Sequence, residues 1–340
     1  MKSSISIIGA GSMGTAVSTL LAKNGHNVKM WTPFKQEADM INTIREHKDK
    51  LPGVKIPDAV ECTTDLEYSI HDTQLIVFVI PSQTVRQNSK AIAPYITEGR
   101  VIACFSKGLE DGTGLRMSEI IKQEIPKARA VALSGPCHAE ELAKGIPSAY
   151  VVASESREAA ELAQDIFMSQ NFRVYTNPDI IGVELGGALK NVIALCAGIS
   201  DGLGYGDNTK AALMTRGITE ISRLGIALGA KSQTFSGLTG VGDLIVTCTS
   251  MHSRNRRAGI LIGQGKSAKE AADEVKMVVE GITTTRAAYT LAKKMNISMP
   301  ITNEAYSVLF EGKNAKMAVT DLMGRDKKHE MEEIVQNSVW

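Results

Sequence analysis

The chain has few cysteines, few aromatic residues and no surplus of either charge. Its five cysteines lie far apart and form no C-x-x-C pair. The sequence therefore predicts neither a disulfide framework nor a metal site, and reduced thiols in a cytoplasmic protein are the simplest interpretation. The formal net charge is +1, and no cluster of Lys and Arg is interleaved with aromatic residues. These features argue against a nucleic-acid partner.

Long hydrophobic runs are also lacking. The best continuous apolar run, Leu75 to Ile80, has the length of a strand and is far too short to cross a membrane. The apolar residues after Lys2 end at Gly9, and no cleavage-like segment follows them, so they do not resemble a secretion signal. We expect no membrane insertion and a cytoplasmic location.

The sequence pattern of the chain changes near Pro178. Before this residue short β-branched runs alternate with helical stretches, as in the βαβ units of a parallel sheet, and after it long helices with apolar periodicity dominate. A chain of 340 residues is long enough for two cores. The sequence therefore predicts an α/β domain of the Rossmann-type, doubly wound class over residues 1–178, followed by an all-α domain over residues 179–340. The charged tail Arg325–Glu333 is predicted to face solvent.

The pattern predicts seven strands and, in the second half, three long helices. The predicted strands are Ser4–Gly9, Asn27–Trp31, Leu75–Ile80, Arg100–Phe105, Ala130–Leu133, Ala149–Ala153 and Arg173–Tyr175. The predicted helices are Val183–Ile199, Thr209–Leu228 and Thr283–Lys294. The segment Gly263–Ser267 resembles the end of a phosphate-binding loop, but Ile260 stands where the first glycine of that motif belongs. We interpret it as a turn between helices.

The first predicted strand runs into a G-x-G-x-x-G motif formed by Gly9, Gly11 and Gly14. Between a strand and a helix each glycine has a mechanical role: Gly9 makes the tight turn, Gly11 lets a pyrophosphate approach the backbone, and Gly14 lets the helix pack close to the strand. The phosphates would lie against unpaired N–H groups at the helix N-terminus. The sequence therefore predicts a dinucleotide site.

The residues after the second strand bear on the choice of nicotinamide cofactor. An Asp or Glu there would hold the adenosine ribose 2′-OH, but the chain has Trp31-Thr32-Pro33-Phe34-Lys35. With no carboxylate to repel a 2′-phosphate and with Lys35 available to attract one, NADP(H) is favoured over NAD(H). The alternative is that Lys35 is simply a solvated charge at a helix start.

Two loops that follow strands carry candidate chemical groups, since ligands bind beyond the carboxyl ends of parallel strands. Lys107 follows the strand Arg100–Phe105 and is predicted to lie at the mouth of the cofactor crevice. The loop after Ala130–Leu133 contains Cys137 and His138. A nucleophilic role for Cys137 lacks an evident base, and a histidine at a helix start more often serves packing or hydrogen bonding.

In the helical half, Lys190 lies within a strongly apolar helix, one turn after Gly186 and Gly187. Glycines inside a helix cost ~1 kcal/mol each relative to alanine, so something must approach this helix closely. Either a ligand or a tightly packed neighbouring helix would account for them. Burial of the lysine would lower its pKa toward the range that is useful for proton transfer.

Two further segments supply an acid and a cluster of donors. Asp243 follows a glycine-rich turn, where it is either a site residue or only a helix N-cap. Ser253, Arg254 and Asn255 offer hydroxyl, guanidinium and amide donors in succession. Such a set suits a phosphate dianion, because one arginine can bind two oxygens.

Six ordered blocks of the chain together resemble the NAD(P)-dependent glycerol-3-phosphate dehydrogenases of bacterial type. The blocks are Ile7–Ser12, Ser106–Glu110, Ser134–Pro136, Gly186–Val192, Gly240–Leu244 and Ser253–Arg257. The resemblance implies reversible reduction of dihydroxyacetone phosphate, a phosphorylated triose, to sn-glycerol 3-phosphate for glycerophospholipid synthesis, with NAD(H) or NADP(H) as cofactor. It also implies a homodimer.

The resemblance further implies roles for individual residues. Lys190 is expected to be the proton donor and acceptor, and Lys107 is expected to contact both cofactor and substrate. Counterparts of further residues line the substrate site, namely Gly135, Cys137, Asp243, Ser253, Arg254 and Asn255. Others contact the cofactor, namely Ser12, Met13, Ala139, Arg254, Val278 and Glu280. The chain departs from the family pattern at Met13, where an aromatic residue is frequent, and at Cys137, where Ser or Thr is usual.

These residues lead to a mechanistic hypothesis. Hydride leaves C4 of the nicotinamide for the ketone carbon, protonated Lys190 donates to the carbonyl oxygen, Lys107 polarises that oxygen, and Asp243 orients Lys190. One alternative is a related two-domain dehydrogenase that acts on a hydroxy acid and therefore binds a carboxylate in place of the phosphate. Another is a dinucleotide-binding redox sensor without catalytic activity.

Overall fold

A computed structural model of the protein describes residues 2–327 and 329–330. Its single large sheet contains the strands β1 Ser4–Ile8, β2 Asn27–Trp31, β3 Val60–Thr63, β4 Leu75–Phe78, β5 Val101–Cys104, β6 Arg129–Ser134, β7 Ser148–Ala153 and β8 Phe172–Asn177. They pair in the order β3-β2-β1-β4-β5-β6-β7-β8. Every neighbouring pair is parallel except β6 and β7, which are antiparallel. This confirms the predicted fold class.

Helices flank the sheet and then make up the second half of the chain. Those that accompany the strands are α1 Ser12–Lys23, α2 Lys35–Ile44, α3 Leu66–Ile70, α4 Val85–Ile92, α5 Met117–Glu124, α6 Ala139–Lys144 and α7 Arg157–Phe167. Those after the sheet are α8 Ile180–Gly202, α9 Asp207–Ala227, α10 Ser232–Phe235, α11 Asp243–Thr249, α12 Arg254–Gly263, α13 Ala268–Val275, α14 Glu280–Lys294, α15 Pro300–Phe310 and α16 Ala315–Met323. The predicted tail Arg325–Glu333 lies partly outside the described residues.

The sheet is covered on both faces, which explains the uninterrupted apolar character of its central strands. In β4, Leu75 and Val77 join one buried cluster, while Ile76 and Phe78 join the cluster on the opposite face. A strand that is buried on both sides needs apolar residues at every position. The chain reverses its winding direction at β1, which lies between β2 and β4, and a crevice for ligands forms at such a point.

Two features of the sheet were not predicted. The strand β3 was missed because it is a short edge strand in which Val60 and Cys62 are buried while Glu61 is exposed. The antiparallel direction of β7 was missed because residues Tyr150–Ala153 are buried, and a buried strand has the same apolar pattern in either direction. The remaining strands were predicted to within about two residues.

The helix α8 is the centre of the second half, where it packs against α9, α11, α12 and α14. Its 23 residues have a mean hydropathy of 1.6, which meets the length and composition expected of a membrane span. The expectation that nothing reaches that length was therefore wrong. In the fold, 83% of its apolar window is buried by neighbouring elements, so its position in the protein core accounts for its composition.

The helices α8 and α12 approach each other through paired glycines. Gly198 and Gly202 of α8 face the backbone of α12, and Gly259 and Gly263 of α12 face the backbone of α8. A Cβ atom at any of these positions would clash with the opposing backbone. The chain then turns at Gly263–Ser267 before α13, which confirms the predicted turn between helices.

This close packing leads to a stability prediction. Replacing Gly259 with valine is expected to lower the free energy of unfolding by about 3 kcal/mol, because the two helices must separate to admit the side chain. Urea unfolding would measure the change. Gly206 is a matched control, since a Cβ there meets no atom within 4 Å. An effect of Gly206→Val equal to that of Gly259→Val would contradict the importance of the glycine contact.

Candidate active site

The turn between β1 and α1 has the geometry that a dinucleotide requires. Gly9 adopts φ of +116°, a conformation that favours glycine, and a Cβ on Gly14 would clash with the Gly9 carbonyl oxygen. A Cβ on Gly11 would meet no atom within 4 Å, so the space in front of it is open. The first turn of α1 carries no acidic residue and no side-chain cap. Its N–H groups therefore suit a pyrophosphate.

The end of β2 differs from the sequence prediction in one respect. Glu37 of α2 brings a carboxylate there, since Thr32 Oγ1 donates to its Oε2 at 2.7 Å. The ammonium of Lys50 neutralises it, with Nζ 2.5 Å from Oε1. The carbonyl oxygen of Lys50 also accepts a hydrogen bond from Ser12 Oγ at 2.5 Å, which ties this lysine to the glycine turn. Lys35 is exposed at the start of α2.

Lys107, Lys190 and Asp243 meet at a single buried point. The carboxylate of Asp243 lies between the two ammonium groups, with Oδ1 2.7 Å from Lys190 Nζ and Oδ2 2.6 Å from Lys107 Nζ. The side chains of Asp243, Lys190 and Lys107 are 1%, 8% and 16% exposed. The structure thus brings together three predicted site residues that are 53 and 136 positions apart in the chain.

The electrostatics of this cluster set the protonation of its members. Burial lowers the pKa of Lys190 to about 8; Asp243 opposes that shift and Lys107 adds to it. For Asp243 burial acts to raise the pKa, but the two lysines outweigh it and hold the pKa below its usual value. The carboxylate therefore stays ionised, while the pKa of Lys190 lies closer to neutral pH than that of a free lysine.

Helix α11 supplies both Asp243 and a second hydrogen-bond partner for Lys190. Thr247, one turn later on the same face, lies with its Oγ1 2.6 Å from Lys190 Nζ. The N-cap of this helix is Gly242, and the side chain of Asp243 points to the lysines, so the alternative that Asp243 is only an N-cap was wrong. Lys107 is fixed further by the carbonyl oxygen of Gly135, which accepts from its Nζ at 2.9 Å.

The two glycines before Lys190 are explained by protein packing. Gly186 faces the backbone of Thr239, and Gly187 faces the hydroxyl of Ser134. Thr239 Oγ1 in turn lies 2.8 Å from Ser134 Oγ, which connects a π-helical turn at Leu238–Gly242 to the end of β6. Of the two open alternatives, close packing by neighbouring protein elements is the correct one. Because α8 packs closely against the end of β6, Lys190 lies near the carboxyl ends of the strands.

The donor cluster Ser253, Arg254 and Asn255 forms the start of α12. Ser253 is the N-cap, and its Oγ accepts from the backbone N–H of Arg256 at 3.2 Å, which leaves its own hydroxyl proton available. Asn255 is held by Asn191, whose Oδ1 accepts from its Nδ2 at 2.9 Å. Among the described residues Arg254 has an exposed side chain with no hydrogen bond or ion pair.

The first turn of α12 has no acidic residue, so its dipole adds to this positive field. A bound anion could receive donors from Ser253 and Arg254, and Asn255 keeps one amide N–H besides the one that it gives to Asn191. The neighbouring Arg256 is used differently, since it forms an ion pair with Asp201 at 2.8 Å. The arrangement therefore supports an anion site at Ser253–Asn255.

The remaining predicted cofactor residues lie along the junction between the sheet and the helices. Glu280 begins α14, and its carboxylate accepts from Ser82 N at 2.9 Å and Ser82 Oγ at 2.5 Å. Val278 is 46% exposed in the loop before α14, Ala139 is buried at the start of α6, and Met13 packs partly against the core of the sheet. Burial raises the pKa of Cys137 to about 12, which disfavours a nucleophilic thiolate.

Three residues around the site were missed or left without a role by the sequence reasoning. Thr247 stands four positions after Asp243, so helical spacing alone would have placed it on the same face. Asn191 connects Asn255 to the Lys107 loop, and its only sequence signal is its place beside Lys190. Ser82 follows β4 at the carboxyl edge of the sheet, where side chains meet ligands or opposing domains.

A glycine turn suited to a dinucleotide, a buried lysine–aspartate cluster and a group of anion donors on adjoining elements are the features of a two-domain, nicotinamide-dependent dehydrogenase. The models of the NAD-dependent glycerol-3-phosphate dehydrogenase N-terminus and C-terminus match residues 4–160 and 179–320. The chain belongs to this family.

Curated relatives and solved structures agree with that assignment. A glycerol-3-phosphate dehydrogenase (NAD(P)+) of Pelotomaculum thermopropionicum is 54% identical over 337 residues, which cover 98% of this chain and 97% of the relative. One of Agathobacter rectalis is 53% identical over 328 residues, covering 96% and 98%. The crystal structure of glycerol-3-phosphate dehydrogenase from Coxiella burnetii superposes with a TM-score of 0.92 at 37% identity, covering 95% of this chain and 99% of that one.

Proposed function

We propose that the protein reduces dihydroxyacetone phosphate to sn-glycerol 3-phosphate, reversibly and with NAD(P)H, and so supplies glycerophospholipid synthesis. The observation that carries the proposal is the buried Asp243 carboxylate, which holds Lys190 and Lys107 together, at 2.7 and 2.6 Å. Such a cluster presents one transferable proton and a second fixed positive charge to a carbonyl oxygen.

Each residue of the cluster has a distinct task. A bound reduced nicotinamide supplies the hydride. Lys190 gives its proton to the carbonyl oxygen, and its pKa of about 8 suits transfer in both directions. Lys107 stabilises negative charge on that oxygen, and Asp243 orients both ammonium groups. Thr247 holds Lys190 on its other side.

The phosphate of the substrate is proposed to bind at Ser253, Arg254 and Asn255. The Arg254 guanidinium suits a dianion, and the Ser253 hydroxyl and the α12 N-terminus add neutral donors. These contacts, remote from the reacting carbon, position the ketone for reduction. A dehydrogenase of hydroxy acids would need only a carboxylate partner here, and the number of donors therefore favours the phosphate.

Steady-state kinetics with dihydroxyacetone phosphate and with dihydroxyacetone test this assignment. For Arg254→Ala we expect kcat/KM for the phosphorylated substrate to fall roughly 10-fold or more, while that for dihydroxyacetone barely changes, because one charge-assisted contact to phosphate is lost. Arg223, a partly exposed arginine of α9 that donates to the Ser298 carbonyl, is the control. An unchanged preference for the phosphorylated substrate in Arg254→Ala would exclude the proposed phosphate site.

We further propose that NADP(H) is preferred over NAD(H). The Glu37 carboxylate at the end of β2 is neutralised by Lys50, so the pair presents no net charge against a 2′-phosphate, and Lys35 at the start of α2 offers positive charge. The same kinetics run in parallel with NADPH and NADH measure the preference. A lower KM for NADH than for NADPH would refute it. Absence of any turnover would instead favour the redox-sensor alternative.

Two further proposals concern the protein as a whole. We propose a cytoplasmic location, which the five free cysteines support. We also propose a homodimer, on the resemblance to the family. Light scattering on the purified protein measures its mass in solution, and a single species of 36.5 kDa would contradict the dimer.

A further inference from the structure

Two histidines face each other beside the proposed phosphate site. His138 lies in the loop between β6 and α6, directly after Cys137. His252 lies between α11 and α12, directly before Ser253. The ring centroids are 5.4 Å apart and the ring planes meet at 47°. One imidazole therefore comes from the sheet side of the junction and one from the helical side.

The buried imidazole has an unsatisfied nitrogen. His138 Nε2 is buried, and it has no hydrogen-bond partner among residues 2–327 and 329–330. Buried polar atoms in proteins are nearly always paired, so an unpaired one beside a ligand site points to a ligand. His252 is about half exposed, and its Nδ1 lies 3.9 Å from Glu140 Oε1, beyond hydrogen-bond distance. Among the described residues, neither ring has a strong hydrogen-bond partner.

The charges around His138 come from three elements. Burial lowers its pKa, and Lys190 of α8 and His252 lower it further, whereas Glu140 and Glu141 of α6 oppose the shift. His138 is therefore neutral in the unliganded protein near pH 7. A phosphate dianion placed near the two rings would reverse this balance and favour the imidazolium form.

We propose that His138 and His252 are binding residues for the phosphate of the substrate, one from each side of the junction. His138 hydrogen-bonds the phosphate through Nε2 and takes up a proton as the phosphate binds, and the exposed ring of His252 closes the site from the solvent side. This inference rests on the proposed function, because it extends the anion site at Ser253–Asn255.

The first test measures binding without reaction. Dihydroxyacetone phosphate and NADP+ are both oxidised, so calorimetry of this ternary complex in buffers of different ionisation enthalpy reports proton uptake alone. Wild-type protein is expected to take up more protons than His138→Gln, in which an amide keeps a hydrogen-bond donor but cannot titrate. The ionisation of the free substrate is the same in both experiments, so the difference reports the protonation change in the complex that depends on His138.

The second test separates binding from chemistry. In His138→Leu we expect KM for dihydroxyacetone phosphate to rise about 10-fold or more, with smaller rises in His138→Gln and His252→Gln, and with kcat and KM for NADPH nearly unchanged. Between about pH 6 and about pH 8 the rise of wild-type KM with pH should be steeper than that of His138→Gln. His71, which is 69% exposed and pairs with Asp72, provides the control variant His71→Gln.

The outcomes distinguish this inference from the proposed function. Wild-type-like KM and proton uptake in His138→Leu would overturn the inference and leave the rings a packing role. If His138→Leu does not fold, His138→Gln and the exposed His252→Gln decide in its place by proton uptake and KM. If wild type does not reduce dihydroxyacetone phosphate, the proposed function fails, and the affinity of inorganic phosphate for wild type and His138→Gln then tests the histidines alone.

Discussion

Replacing Lys190 with methionine is expected to lower kcat for dihydroxyacetone phosphate reduction by ~10²-fold or more, as loss of a general acid does. Methionine fills most of the buried space of the lysine stem, and Asp243 keeps its ion pair with Lys107 at 2.6 Å. The fold and the cofactor site should therefore persist. Stopped-flow or steady-state kinetics with NADPH would measure the loss, and NADPH binding by fluorescence should be nearly unchanged.

The same role for Lys190 predicts the direction in which the rates of reduction and oxidation change with pH. Reduction needs Lys190 protonated, and its pKa is about 8, so the wild-type rate of reduction should fall as pH rises through that value. Oxidation of glycerol 3-phosphate needs the neutral amine, so its rate should rise over the same interval. The residual activity of Lys190→Met should show neither the fall in reduction nor the rise in oxidation over this pH interval.

A second buried lysine provides the matched control. Lys210 is 15% exposed and forms an ion pair with Asp201 at 2.7 Å, and Asp201 is not part of the Lys107–Asp243–Lys190 cluster. Lys210→Met removes a comparable ammonium and should leave kcat nearly unchanged. Turnover close to wild type in Lys190→Met, or an equal loss in Lys210→Met, would refute Lys190 as the proton donor.

The sequence predicted which residues of the site carry chemistry better than it predicted which of them contact each other. Lys107, Lys190 and Asp243 were identified from their local settings, yet nothing local shows that one carboxylate serves both lysines, because the three residues come from different elements. Conversely, Gly186 and Gly187 could not be interpreted alone, since a ligand and a packed neighbour both require a small residue there. Only the positions of Ser134 and Thr239 decide between them.

The same limit applies to the fold. Strands that are buried on both faces, such as β4, are recognisable in the sequence as apolar runs. The glycine turn after β1 is also recognisable, because few other motifs share its geometric requirement. The edge strand β3 has only two buried side chains, so its short sequence pattern was not distinctive. Whether such a segment forms a strand depends on the neighbouring strand with which it pairs. The Glu37 carboxylate was missed because α2 folds back on the end of β2.

Replacing Asp243 with asparagine should be nearly as damaging as loss of Lys190, through both catalysis and stability. The variant leaves two ammonium groups facing each other at a buried point with no negative charge between them. Because Asp243 raises the pKa of Lys190 in the wild type, its loss lowers that pKa and leaves the amine neutral near pH 7. We expect kcat for reduction to fall about 10²-fold, with partial recovery at lower pH.

The stability effect has a defined pH dependence. Removing one partner of a buried ion pair costs about 3–5 kcal/mol, and deprotonation of one lysine would reduce that cost. The pKa of Asp243 is lower in the folded protein than in the unfolded chain, so its stabilisation is present above the unfolded pKa and is lost as pH falls through the folded pKa. Urea unfolding of wild type and Asp243→Asn should therefore differ most near neutral pH and least in acid.

Asp201 allows the two effects to be separated. It also pairs with two cations, Lys210 at 2.7 Å and Arg256 at 2.8 Å, and its side chain is 14% exposed. Asp201→Asn should lower stability without moving the pH profile of reduction, because neither cation belongs to the lysine pair. Asp243→Asn should do both. If the pH profile of Asp243→Asn matched that of wild type, Asp243 would be a structural carboxylate only, and the tuning of Lys190 would have to come from burial and Lys107.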